Sequence, residues 1–258
     1  MNKKYWHLSQ SHLNNLEKCP RQFIDAYFKQ LTNFHKFDEN NSTEWGSLFH
    51  RLMQQKKLNL PLTNILNQKQ DLQESLSALH TAINDLCEDQ DIISSEAEVK
   101  LQLKWLDKYI FTVVYDQLIL KPNQAIIFDW KTYLKPTKID YLVNNWQTKL
   151  YLFVLTEIMD YAPENISFIY WFVKLPNNPE SYQINYDQKS HDKNKLELET
   201  LLSKLTTLND ESYDYDKCLN YRQCHNQCRY YSSSYSHEND DDLQLLPQTL
   251  NEVAEVEL

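Results

Sequence analysis

Apolar residues recur at helical spacing in the first third of the chain and at alternate positions in the middle third. Ser9 can cap a short helix carrying Leu13 and Leu16 that ends near Cys19-Pro20, and a second helix follows through Phe23, Tyr27 and Phe28. Asn33 to Ser42 is polar and reads as a loop. Trp45, Leu48, Phe49 and Leu52 form a stripe that predicts a helix from Glu44 to Gln55. Leu72, Leu76, Leu79, Ile83 and Leu86 predict another from Asp71 to Glu88, with Cys87 as a buried apolar residue.

The period then changes. Ala97, Val99, Leu101, Leu103 and Trp105 alternate with Glu98, Lys100, Gln102 and Lys104, the pattern of a half-buried strand. Tyr109 to Leu120 and Ala125 to Lys131 are two further strands, joined by a tight turn at Lys121-Pro122-Asn123-Gln124. Tyr141 to Asp160 reads as one long helix and Ile166 to Val173 as a fully buried strand. Tyr182 to Tyr186 reads as an edge strand and Lys193 to Leu208 as an amphipathic helix. The order predicts an α/β fold with a mixed central sheet flanked by helices. It predicts one domain over 1–235, with its core at about 92–190 and a helical, cysteine-bearing lobe made from 1–90 and 191–235.

The remaining 236–258 carry Glu238, Asp240, Asp241, Asp242, Glu252, Glu255 and Glu257 and no Lys or Arg, the composition of a disordered acidic tail. This tail changes the reading of the net charge of −10: without it the rest of the chain carries −3. A local basic groove is compatible with that figure. The start of the chain lacks the apolar core of a signal peptide, and no run reaches the roughly 18 apolar residues of a membrane span, so the chain reads as cytoplasmic. In that compartment cysteines are more often free, catalytic or metal-bound than disulfide-linked. The single glycine, Gly46, draws notice, because few loops can then rely on glycine.

The chemistry lies in the hairpin. A turn at Pro122-Asn123 sets Asp116 opposite Asp129, with Cβ atoms about 4.5–5.5 Å apart. Lys131 shares the face of Asp129, two residues on, and Trp130 points the other way. Facing carboxylates repel unless a cation lies between them. Mg²⁺ or Mn²⁺ held there could activate a water and stabilise phosphodiester cleavage, with Lys131 orienting or deprotonating that water or binding a phosphate oxygen. Asp129 ends the apolar run Ala125-Ile126-Ile127-Phe128, where an acid without a role is unusual.

Five ordered blocks resemble the RecB-type branch of the PD-(D/E)XK nucleases, including the AddB nuclease domain and CRISPR-associated exonucleases. They are Leu8-Ser9-Gln10-Ser11 to Leu16 with Cys19-Pro20-Arg21-Gln22-Phe23; Gly46-Ser47-Leu48-Phe49-His50; Tyr115-Asp116; Phe128-Asp129-Trp130-Lys131-Thr132; and Gln147-Thr148-Lys149-Leu150-Tyr151. Together they span roughly Leu8 to Cys228. The resemblance implies that His50, Asp116 and Asp129 ligate the metal, that Lys131 is the catalytic lysine, and that Gln147 and Tyr151, one turn apart, support the site or contact DNA. Glu98 and Glu96 lie on the polar side of the preceding strand, and either could reach the metal. The family's proline before the first acid is replaced by Tyr115, and Thr112 and Val113 stand where relatives often carry glycine.

The resemblance also implies a 4Fe–4S cluster on Cys19, Cys218, Cys224 and Cys228. The C-terminal spacing here is C-x5-C-x3-C, where relatives have C-x2-C-x5-C. Zinc, with His225 as a further ligand, and free thiols remain open. Tyrosines interleaved with Arg222 and Arg229 could stack on single-stranded bases or pack around a cluster. The implied partner is single-stranded DNA, acted on at its ends. A catalytically silent DNA-binding subunit of a repair or CRISPR complex is the alternative, and restriction-type endonuclease cleavage is a third.

Overall fold

The computed structural model describes residues 5–28, 41–62, 66, 69–87, 91–133, 139–174, 179–206 and 208. Cys218, Cys224, Cys228, His225, the neighbouring tyrosines and the acidic tail lie outside them.

The sheet is built on one long strand. β3 (Tyr109–Lys121) pairs antiparallel with β2 (Ser94–Trp105) from Tyr109 to Leu120, with a gap at Asp116. Its other edge is shared. β1 (Trp6–Leu8) runs parallel to Tyr109–Phe111, and β4 (Gln124–Lys131) runs antiparallel to Gln117–Lys121. Among the described residues, 112–116 of β3 have no strand partner on that edge, so the sheet carries a notch between β1 and β4. β5 (Ile166–Phe172) lies parallel to β4, and β6 (Glu180–Asn185) closes the order as an edge strand. A sheet with both parallel and antiparallel pairs, covered by helices, is the expected mixed α/β fold.

Both faces are packed. One carries α1 (Gln10–Lys18), α2 (Pro20–Tyr27), α5 (Asp140–Asn144), α6 (Trp146–Ile158) and α7 (Gln188–Ser203) over Tyr115, Ile127, Phe168 and Tyr170. The other carries α3 (Asn41–Lys57) and α4 (Gln70–Cys87) over Ile126, Phe128, Trp130 and Ile169. β4 is buried on both sides from Ala125 to Lys131, which is why its sequence reads as a continuous apolar run.

Two expectations are corrected. The single helix expected from Tyr141 to Asp160 is two, because Asn145 is extended (ψ 144°) and its side chain accepts the N–H of Gln147 at 2.8 Å. Asparagine competes for backbone donors in this way and starts a new helix. The expected order also lacked β1, whose three residues are too few to show a period. No helix among the described residues is long and apolar enough to cross a membrane.

Candidate active site

The hairpin register is the one the turn dictates: Leu120 pairs with Ala125 and Gln117 with Phe128. One step further the strands part. Tyr115 and Leu118 both pack toward α6, whereas Ile119 packs toward α3 and α4, so the alternation of β3 slips by one between Tyr115 and Leu118. The neighbouring strand is distorted at the same point, where Glu98 has φ +53°, a value that costs energy for a residue with a Cβ.

This slip separates the two aspartates. Asp116 turns toward α3, where its Oδ1 lies 3.1 Å from His50 Nδ1, and its Oδ2 accepts the Trp130 N–H at 2.7 Å. Asp129 turns toward α6: its Oδ1 accepts from Gln147 Nε2 at 2.8 Å and its Oδ2 lies 2.9 Å from Lys131 Nζ. The two acids are therefore not the directly opposed ladder pair that the ideal hairpin predicts. They lie on either side of the Trp130 peptide, whose carbonyl is also 3.0 Å from His50 Nε2.

On the α3 side, one ligand atom each from His50, Glu98 and Asp116 can be chosen so that all lie within 4.8 Å of one another. Because a carbonyl can only accept, His50 Nε2 donates to Trp130, and in the neutral ring Nδ1 then carries the lone pair. Without a cation the arrangement is electrostatically loaded. Burial opposes the charged form of His50, but the charge and hydrogen bond of Asp116, with Asp129, outweigh burial and the opposing Lys131, lifting the His50 pKa from 6.5 to about 9. Burial raises the Glu98 carboxyl pKa, the Asp116 charge adds to the rise, and His50 opposes it. Two carboxylates and an imidazole with its lone pair aimed among them form a donor set that fits a divalent cation, which would relieve the repulsion.

Ligation needs the neutral ring, so a cation must displace the His50 proton. Below about pH 9 the metal-free site is protonated, and as pH rises the ligand form appears. Mn²⁺ affinity is expected to rise by up to about tenfold per pH unit from 7 to 9 and then level off. Titrations followed by electron paramagnetic resonance at pH 7, 8 and 9 test this, and a flat affinity would remove His50 from the ligand set.

On the α6 side, Lys131 is 9% exposed and Asp129 4%. Gln147 bridges them, its Oε1 accepting from Lys131 Nζ at 2.9 Å while its amide donates to Asp129. The ammonium also lies 5.3 Å from the centre of the Tyr170 ring, and the Tyr170 hydroxyl pairs with Thr148 Oγ1 at 2.7 Å. These contacts hold Lys131 in one orientation. Tyr151 is buried, at 3% exposure: its carbonyl accepts the Tyr115 hydroxyl at 2.9 Å and its ring meets that of Tyr115 edge-on. Its place is in the packing beneath Asp116 rather than on a DNA-facing surface.

Gly46 seats α3. A Cβ there would lie 2.7 Å from Thr132 Oγ1, so only glycine lets the helix approach the end of β4 this closely. Gly46→Ala is expected to push α3 outward, costing about 1–3 kcal/mol and displacing His50 one turn on. Thermal unfolding and Mn²⁺ affinity measure the two effects.

The model of the PD-(D/E)XK nuclease superfamily matches residues 7–233. The chain belongs to that superfamily. Among solved structures, a protein from Eubacterium rectale named "Putative exonuclease" aligns with a TM-score of 0.54 and 12% identity, over 83% of this chain and 84% of that one. At that identity the likeness shows the superfamily's fold. The structure of SSO0001 aligns at a TM-score of 0.36 and 14% identity, over 79% of each chain. No curated protein matches.

In this member of the superfamily, His50, Asp116, Asp129, Lys131 and Gln147 surround the Trp130 main chain. Cys19 is buried at the N-terminus of α2, with its Sγ accepting the Gln22 N–H at 3.5 Å. The residue that sequence reasoning left undecided is the acid on β2. Glu98 joins the cluster, whereas Glu96 is exposed and bonded to Ser94 Oγ. Strict alternation puts both on one side, and only the distortion at Glu98 separates them.

Proposed function

We propose that this nuclease is a divalent-metal-dependent deoxyribonuclease of RecB type that removes nucleotides from the ends of single-stranded DNA. The observation that carries this is the pair of groups joined through the Trp130 peptide: His50, Glu98 and Asp116 on one side, and Lys131, Asp129 and Gln147 on the other. His50, Glu98 and Asp116 would hold Mg²⁺ or Mn²⁺, with Asp129 as a further oxygen donor. When bound, the cation supplies positive charge to the scissile phosphate and acidity to the attacking water. Lys131, fixed by Asp129 and Gln147, orients that water or binds a phosphate oxygen. Trp130 keeps His50 in the tautomer that ligates, and Gln147 keeps Lys131 against Asp129.

Linear and circular single-stranded DNA, incubated with Mg²⁺, Mn²⁺ or a chelator, test the reading. Metal-dependent loss of the linear substrate is expected. Nicking of the closed circle would replace the exonuclease with an endonuclease, and no cleavage of either would leave a DNA-binding subunit.

The same reading gives Cys19 a 4Fe–4S cluster with Cys218, Cys224 and Cys228. Its support is the cysteine set, with Cys19 at the N-cap of α2. Anaerobically purified protein should contain about four irons per chain. Protein without iron would overturn the cluster and leave the nuclease site untouched.

A further inference from the structure

The metal cluster lies between two features that the chemistry above does not use. Beyond it along the sheet is a cavity of about 560 Å³ between α3, α4, β2 and β3. Its floor is apolar, from Met53, Ile83, Ile92 and Ile119, and its walls carry Lys56, Lys57 and His80, with no acid among the described lining residues. Its size falls within the usual range for small-molecule sites, about 300–1,000 Å³. Met53 and Lys57 continue the His50 face of α3, three and seven residues on. Gln117, on the cavity wall, directly follows Asp116.

On the other side of the cluster the described residues leave part of the sheet exposed. Lys100, Gln102 and Lys104 are exposed on the β2 face that also carries Glu98, and Val114 is exposed beside them on β3. Gln102 donates to Thr112 Oγ1 at 3.1 Å across this pair of strands. A cationic stripe thus leads to the cluster, and a walled cationic cavity follows it.

We propose that a single DNA strand runs along the Lys104–Lys100 stripe, crosses the His50–Glu98–Asp116 cluster, and lodges its terminal nucleotide in the cavity. Lys56 and Lys57 take the phosphate, and the apolar floor takes the face of the base. The wall made by α3 and α4 is what makes the site prefer an end. This rests on the nuclease reading above.

Two changes in the full-length protein test it. Lys56→Gln with Lys57→Gln removes the charges, and Asn84→Trp fills the cavity from an exposed wall position. Binding of a fluorescent single-stranded oligonucleotide without added metal should weaken about tenfold in the lysine double variant. Its salt dependence should flatten by about 0.7 in the log–log slope, the value for one lost phosphate contact on a single strand. Asn84→Trp should raise KM for linear single-stranded DNA about tenfold and leave Mn²⁺ affinity unchanged. Wild-type binding and KM in both variants would overturn the cavity assignment while cleavage stands. A wild type that cleaves nothing, but whose binding weakens in both variants, would overturn the nuclease reading and leave the cavity assigned.

Discussion

Lys131→Met is expected to lower DNA cleavage about 10³-fold and to destabilise the fold by about 3 kcal/mol. The two effects have separate causes. Cleavage falls because a positive group held against the reacting phosphate or water is lost, and such a group is typically worth about 10²–10⁴. Stability falls because Asp129 stays buried, at 4% exposure, without its cation. Removing one partner of a buried pair costs about 3–5 kcal/mol. The lower end is expected because Gln147 still donates to Asp129. Methionine keeps the apolar stem against Tyr170, so packing is little changed. Denaturant unfolding and single-turnover cleavage measure the two losses. A variant that is less stable yet cleaves at the wild-type rate would make Lys131 a purely structural residue.

Asp116→Asn is expected to behave differently: cleavage falls about 10³-fold, a barrier increase of about 4 kcal/mol, while the fold is retained. The amide oxygen can still accept the Trp130 N–H, so the bond that closes the notch survives. What is lost is one negative oxygen of the donor set, and Mn²⁺ affinity should drop by at least about 100-fold. The largest influence raising the His50 pKa also disappears, so that pKa should fall from about 9. Histidine resonances followed against pH in metal-free protein would show the fall. The sign follows from the charge: Asp116 favours imidazolium, and an uncharged amide does not. An Asp116→Asn protein with wild-type Mn²⁺ affinity would remove this residue from the ligand set.

Much of this site was legible in the chain because β-hairpins obey a strict register. The turn at Pro122-Asn123 and the alternation on either side were enough to align β3 with β4, and the observed pairs agree from Gln117–Phe128 to Lys121–Gln124. The buried run before Asp129 was legible for a similar reason, since a strand covered on both faces has no polar positions to spare. His50 and Gln147 were reached only through ordered blocks of resemblance, because nothing in a helix pattern says what lies across from it.

Three things were not legible, each for a local reason. The slip between Tyr115 and Leu118 breaks the alternation on which the expected facing of Asp116 and Asp129 depended. Periodic patterns assume an undistorted strand. Glu98 takes φ +53°, a conformation no residue type at that position announces, and so its separation from Glu96 was hidden. The backbone of Trp130 contributes an N–H to Asp116 and a carbonyl to His50, contacts that every residue's main chain could make and that side-chain identity does not reveal. Asn145 did carry a signal, a capping residue inside a helical run, but apolar residues on both sides concealed it.

The central claim is that a cation held by His50, Glu98 and Asp116 works with Lys131 to hydrolyse DNA. It is tested most directly by incubating end-labelled single-stranded DNA with Mn²⁺ and either the wild type or Lys131→Met, after confirming that both bind Mn²⁺. Cleavage by the wild type and its loss in a folded, Mn²⁺-binding variant are expected. Equal cleavage by the two proteins, or none by the wild type, would contradict the claim.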